Sequence, residues 1–160
     1  MLDAVRQFVE RMGLMCEKDG MPRGAGRLFG LLLAEGGPFS LDELAERLRA
    51  SKASVSTNSR LLEQMGMIER VSTLGDRRDY YRARCDPWES MLQVAQTRWR
   101  EMAAVFDEAA AGLSPDNDAG RRRLRDAERF HRLLLDECDG VIRHWREVRD
   151  GDPCAPDAET

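Results

Sequence analysis

Apolar residues recur at three- and four-residue spacing along most of the chain, which is the period of amphipathic helices rather than of strands. Val5, Phe8, Val9, Met12 and Met15 form one such stripe and predict a helix from Leu2 to about Lys18. Asp19-Gly20 closes it, since glycine tolerates the left-handed conformation of a C-terminal cap. Pro22 can open the next helix, to about Glu35, because its missing N–H would be unpaired in a first turn anyway. Gly24, Gly26 and Gly30 lie in that helix among Leu28, Phe29, Leu31, Leu32 and Leu33. Each interior glycine costs about 1 kcal/mol relative to alanine. The face made by Gly26 and Gly30 is therefore expected to receive another backbone at close range.

Gly36-Gly37-Pro38 interrupts the chain, and Ser40 followed by Glu43 is a capping box for a helix from Leu41 to Leu48. Leu41, Leu44, Ala45 and Leu48 make its buried face, Arg49 and Ala50 make a turn, and Ser51 caps a second helix that Gly66 stops after Met65. On a helical wheel Val55, Asn58, Ser59, Leu62 and Met65 gather on one side of this helix, with Lys52, Ala53, Ser56, Thr57, Arg60 and Gln64 on the other. The outer side is small, hydroxyl-bearing and free of acids from Ser51 to Leu62. Such a face can enter a negatively charged groove and offer donors to phosphates and base edges. An ordinary solvated helix face would more often carry Glu or Asp.

Met67 to Thr73 and Tyr80 to Arg84 read as two strands around the turn Leu74-Gly75-Asp76-Arg77-Arg78-Asp79. Arginines at that tip could reach a phosphate backbone or a minor groove, although Asp76 and Asp79 stand ready to neutralise them. After Asp86-Pro87 a long helix to about Gly112 carries Trp88, Met91, Leu92, Ala95, Trp99, Met102, Val105, Phe106 and Ala109 on its apolar face. A last helix, from about Arg121 to Arg149, turns Leu124, Ala127, Leu134, Cys138, Val141, Ile142, Trp145 and Val148 inward, with Phe130 and Leu133 beside them. Two helices of this length, each roughly 40 Å by the 1.5 Å rise per residue, exceed what one small module can cover. A second copy of the chain is expected to cover them, giving a homodimer. The fold class is thus mainly α with a small β-hairpin wing: a winged helix-turn-helix with long N- and C-terminal dimerisation helices.

Charge sharpens this division. The 160-residue chain has a formal net charge of -4, which by itself argues against a nucleic-acid partner. Yet Ser40 to Arg84 holds nine Arg or Lys against seven Asp or Glu, whereas Cys85 to Asp150 holds eleven against fourteen, so the acidity lies outside the candidate module. The run Arg121-Arg122-Arg123, with Arg125, Arg129 and Arg132, is interleaved with Asp126, Glu128 and Asp136 and reads as a solvated face. Cys16, Cys85, Cys138 and Cys154 are isolated, and only His131 and His144 could assist them, so neither metal nor disulfide is expected. No cofactor is implied. No nucleophile, general base and orienting partner occur together, which points away from an enzyme. The absence of a long apolar run and of a signal-peptide pattern argues for a cytoplasmic protein without a membrane partner.

Three stretches carry a family resemblance: MPRGAGRLFGLLLAEGGPFSLDELAERL, SKASVSTNSRLLEQMGMIERV and the wing GDRRDYY. Over about Met21 to Tyr81 the chain resembles the GbsR-like branch of the MarR superfamily of winged helix-turn-helix regulators. The resemblance implies a DNA-binding transcriptional regulator, typically a repressor, acting as a homodimer on a pseudo-palindromic double-stranded operator. Some relatives sense choline or related osmolytes, which leaves room for a small-molecule effector whose site is unknown here; Trp88, Trp99 and Trp145 lie on apolar stripes, where packing is the default role. The expected organisation is an N-terminal helix over 1–20 contributing to the dimer region, a DNA-binding domain over 21–84, a helical dimerisation region over 85–150 and a disordered tail over 151–160. Ser51 and Lys52 at the start of the second helix are expected to meet phosphates, Ser56, Thr57 and Arg60 to read bases, Arg77 and Arg78 to contact DNA from the wing, and Ser54 to lie among the DNA-binding residues. The alternative is a winged-helix adaptor that binds protein without specific DNA binding.

Overall fold

Helices dominate the computed structural model, which describes residues 3–72 and 76–149. In order these are α1 (Asp3–Lys18), α2 (Arg23–Glu35), β1 (Phe39–Ser40), α3 (Leu41–Leu48), α4 (Lys52–Gln64), β2 (Ile68–Val71), β3 (Tyr80–Ala83), α5 (Pro87–Gly112) and α6 (Asp118–Val148). The chain divides into two compact units, one up to Ser90 and one from Met91 on.

In the first unit α1 lies along α2, and the glycines explain how closely. A Cβ on Gly26 would stand 2.5 Å from the Met12 backbone oxygen and 2.7 Å from Cys16 Sγ; one on Gly30 would stand 3.1 Å from Met12 Cβ. The close backbone expected at this face is therefore α1. It contributes a glycine of its own: a Cβ on Gly13 would meet Arg27 Cγ at 2.6 Å and the Arg23 carbonyl at 3.0 Å. What offsets the glycines is burial, because Leu28, Phe29, Leu31 and Leu32 of α2 are enclosed, and each such side chain contributes about 1.5–3 kcal/mol. Leu44 and Leu48 of α3, Val55 and Leu62 of α4, and Ile68 complete this core. Trp88 sets its ring edge-on against Phe29, centroids 5.7 Å apart.

Ion pairs fasten the rim of this packing. Glu10 of α1 accepts from Arg23 Nη2 and Arg27 Nε, each at 2.9 Å, and Arg27 Nη2 also donates to the Leu48 carbonyl at 2.8 Å. One guanidinium thus ties α1 and α2 to the end of α3. The Arg23 hydrogen bond, with support from Arg27, holds the Glu10 carboxyl below its ordinary range.

The sheet has the order β1-β3-β2 and is antiparallel throughout. Phe39 pairs with Tyr81 and Ile68 with Ala83. β1 went unforeseen, since two residues are too few for an alternating pattern to show. β2 is shorter than the apolar run suggested, and Thr73, the last residue of the expected strand, with Leu74 and Gly75, which open the expected wing turn, lie outside the described residues.

In the second unit α6 begins at Asp118 rather than near Arg121, because the Asn117 side chain accepts from the Gly120 N–H at 3.0 Å and caps the helix early. Gln96 is buried and donates to Asp139 Oδ1 at 2.7 Å, and the His131 ring lies 5.3 Å from that of Phe106. Ala103, Ala110, Cys138 and Ile142 are buried. Val141 and Val148, expected to turn inward, are exposed in the single chain, as are Phe130, Leu133, Met102 and Val105. The arginine-rich face behaves as a solvated surface: Arg129 pairs with Asp126, Arg132 with Glu128, and Arg122, Arg123 and Arg125 are exposed. The segment 151–160, read from sequence as a disordered tail, lies outside the described residues, as do Met1, Leu2 and Asp150.

Candidate nucleic-acid interface

The α3-turn-α4 segment is set by its caps. Ser40 Oγ accepts from the Glu43 N–H at 3.3 Å while Glu43 Oε2 accepts from the Ser40 N–H at 2.7 Å, the reciprocal capping box read from sequence. α3 ends at Arg49, whose φ of 50° is left-handed, and the Arg49 and Ala50 N–H groups return to the carbonyls of α3. Ser51 then caps α4 by accepting from the Ser54 N–H at 3.2 Å. Gly66, with φ 74°, turns the chain out of α4 toward β2, a conformation that glycine adopts without strain.

Val55, Asn58, Ser59 and Leu62 form the buried side of α4, as the wheel required. Lys52, Ala53, Thr57, Arg60 and Gln64 are exposed and Ser56 is half-buried. Two of the buried positions are polar. The Asn58 amide donates to Ser54 Oγ at 3.3 Å and occupies the space where a Cβ of Gly24 would be, 2.4 Å from its Nδ2. Gly24 and Asn58 thus form the seat of α4 on α2. The wheel placed Asn58 inward but could not name what it packs against.

The cations expected to meet DNA differ in what holds them. Lys52 Nζ is 2.8 Å from Asp42 Oδ1 of α3. Arg60 Nε donates to the Ser56 carbonyl at 3.4 Å and Nη2 donates to Ser56 Oγ at 3.3 Å. On the wing, Arg78 is bound to Asp76 through Nε at 2.9 Å and Nη2 at 2.6 Å, its guanidinium 5.3 Å from the centre of the Tyr80 ring, while the Tyr80 hydroxyl donates to the same carboxylate at 2.7 Å. The Arg78 hydrogen bonds hold the Asp76 carboxyl far below its usual range, and that carboxylate in turn raises the Tyr80 hydroxyl. Arg77 is exposed and makes no hydrogen bond or ion pair with a described residue. Asp79 is bound to Arg70 at 3.3 Å. The anticipated neutralisation of the wing thus falls on Arg78 and leaves Arg77 available.

Among the described residues no group of three His, Cys, Asp or Glu side chains could hold a metal ion, and no helix is long and apolar enough to cross a membrane. Burial pushes the thiols of Cys16 and Cys138 above their ordinary value, which disfavours the reactive thiolate.

Comparison with known proteins agrees with this geometry. Residues 19–79 match the MarR family, and residues 86–148 match the MmpR5-like MarR family transcriptional regulators. The chain is similar to the HTH-type transcriptional regulator MmpR5 of Mycobacterium tuberculosis, 40% identical over 131 residues that cover 81% of this chain and 78% of that protein. It is also similar to the HTH-type transcriptional repressor OpcR of Bacillus subtilis, 25% identical over 63% of this chain and 55% of that protein. A crystal structure of a transcriptional regulator superposes with a TM-score of 0.83 at 31% identity, covering 90% of this chain and 99% of the other. A three-stranded sheet beside a capped helix-turn-helix, with matches along both units, has one reading: this chain belongs to the MarR family of winged-helix, DNA-binding transcriptional regulators.

Proposed function

We propose that the chain acts as a homodimeric, sequence-specific repressor of transcription on a pseudo-palindromic operator, with one α4 in the major groove of each half-site. The observation that carries this reading is the exposed face of α4: small, hydroxyl-bearing, without an acid in its first turn, and held by caps at its N-terminus. In this assignment Ser51, Lys52 and Ser54 meet phosphates, Ser56, Thr57 and Arg60 face the bases, and Arg77 and Arg78 act from the wing. Arg77 reaches DNA with no carboxylate attached, whereas Arg78 holds Asp76 on its Nε–Nη2 edge and offers a phosphate the Nη1 side.

The two-copy arrangement is supported by the apolar positions left exposed on α6, Phe130, Leu133, Val141 and Val148, together with the residues of α1 that α2 does not cover, Phe8 and Met15. Residues 1–20 and 85–150 then serve dimerisation, and 21–84 serves DNA binding. The Pro22-Arg23 helix start and the wing motif ending in Tyr80-Tyr81 support placing the chain in the GbsR-like branch, and the repressor named among its relatives supports the sign of regulation. A small-molecule effector and a cytoplasmic location complete the proposal.

Selection of bound sequences from a random or genomic DNA pool tests it. The expected product is a two-fold site with half-sites about 34 to 36 Å apart or a multiple of that. Arg77→Ala should weaken binding to that site and reduce the salt slope by about one ion. Recovery of no preferred sequence would reject the proposal.

A further inference from the structure

Arg60 differs from the other cations of the interface in the kind of partner it has. Lys52 and Arg78 are each held by a carboxylate, Asp42 and Asp76. Arg60 is held by a neutral residue four positions back on its own helix: Nε points to the Ser56 carbonyl and Nη2 to Ser56 Oγ. Its charge is therefore not cancelled by a carboxylate, and two long contacts, 3.4 and 3.3 Å, bias the orientation of its plane relative to α4.

The atoms involved decide what is left. Nε and Nη2 share one edge of a guanidinium, and Ser56 occupies that edge. The remaining edge, Nη1 with the second hydrogen of Nη2, presents two nearly parallel N–H donors beyond the helix surface. Ala53 and Thr57 beside it are small and exposed, so nothing bulky keeps this edge from a groove floor. In the major groove guanine alone presents two adjacent acceptors, N7 and O6; adenine pairs an acceptor with a donor, and cytosine and thymine present one polar group each. A two-donor fork with its other edge already used therefore matches guanine and mismatches the rest.

We infer that Arg60 reads a guanine in each operator half-site and that Ser56 is the positioning residue that aims it. The inference rests on the proposed entry of α4 into the major groove. Ser56 restrains the arginine before DNA arrives, so part of the ordering entropy is already lost in the free protein. Lysine at position 60 would keep the charge and lose the fork.

The test uses the full-length protein and its selected operator, with each guanine replaced in turn by 7-deazaguanine, which lacks the N7 acceptor. For the wild type, one guanine per half-site should weaken binding by roughly 2- to 12-fold when replaced, about half the free energy of a good bidentate base contact because one of its two acceptors is lost. Arg60→Ala should bind the two DNAs equally, and Arg60→Lys, which keeps donors but loses the planar fork, should show a smaller difference than the wild type. Ser56→Ala should lose much of this discrimination, and Ser56→Thr, which keeps the hydroxyl, should retain it. Arg60 is exposed, and thermal melts of the variants matching the wild type would exclude misfolding. An operator bound specifically but without N7 dependence at any guanine, or discrimination that survives in Arg60→Ala, would overturn the assignment alone. Unchanged discrimination in Ser56→Ala would remove the positioning role. Failure of the wild type to prefer any sequence would defeat the underlying reading and this inference with it.

Discussion

Ser40 is enclosed to within 1% of its surface, yet both its N–H and its hydroxyl bond to the Glu43 carboxylate, each at 2.7 Å. These two bonds, the side-chain one first, hold the Glu43 carboxyl below its ordinary 4.5. A depressed carboxyl contributes stability above its unfolded value, and that contribution disappears as pH falls through the folded value. Ser40→Ala should therefore cost about 0.5–2 kcal/mol at pH 7, the usual worth of an N-cap. The deficit should shrink below pH 4.5 as the carboxyl is protonated in both variants. Denaturant titrations at pH 7 and pH 3 measure it, and a deficit that grew on acidification would refute the assignment. This box was legible in the sequence because it is local: two residues, two side chains, one spacing. The partnership of Gly24 with Asn58 was not, since helical periodicity says which way a side chain points and not what it meets. For the same reason Lys52, Ser56 and Arg60 could be placed on the outer face while their tethers, Asp42 and the Ser56 hydroxyl, stayed hidden.

At the scale of elements, α2 acts through two neighbouring glycines with different duties. A methyl group on Gly26 would strike the backbone oxygen of Met12, which cannot move without α1, whereas one on Gly24 would strike a side-chain amide of α4. Gly26→Ala should lower stability by about 1–3 kcal/mol, the usual cost of overpacking. Gly24→Ala should cost less in stability but displace α4 and weaken operator binding. Thermal melts and DNA titrations of the pair measure both effects, and equal losses in the two assays for both variants would reject the distinction. Periodicity and caps located the helices within a few residues because each is long and amphipathic. They missed β1, whose two residues depend on the long-range pairing with β3, and the early start of α6, which an asparagine cap sets. Gly13 gave no warning in isolation; its role exists only once α2 lies against it.

For the molecule as a whole, charge and exposed apolar surface point to the same division of labour. The net charge of -4 hides a segment, Ser40 to Arg84, in which basic residues outnumber acidic ones. α6 leaves apolar side chains exposed that a second copy would cover. Val141→Glu, at 56% exposure, should leave the fold of the single chain intact, turn the dimer into a monomer by sedimentation, and weaken operator binding by removing the second half-site. A variant that remained dimeric would exclude this face from the interface. The expectation of a second copy came from helix length alone. Which residues stay uncovered required coordinates, because inward and outward stripes on a long helix differ by a small rotation.

The self-held cations have a further consequence, for time rather than affinity. On the proposed assignment a phosphate at Lys52 or Arg78 competes with Asp42 or Asp76 for the same charge, so random DNA should gain less from each than from a cation that no carboxylate holds. A stretch without the correct bases should therefore keep the protein only briefly before the chain leaves to sample elsewhere. Loosening those internal pairs, as Asp42→Asn would, should lengthen dwell times on unrelated sequence and slow the search for the true site, even though total binding rises.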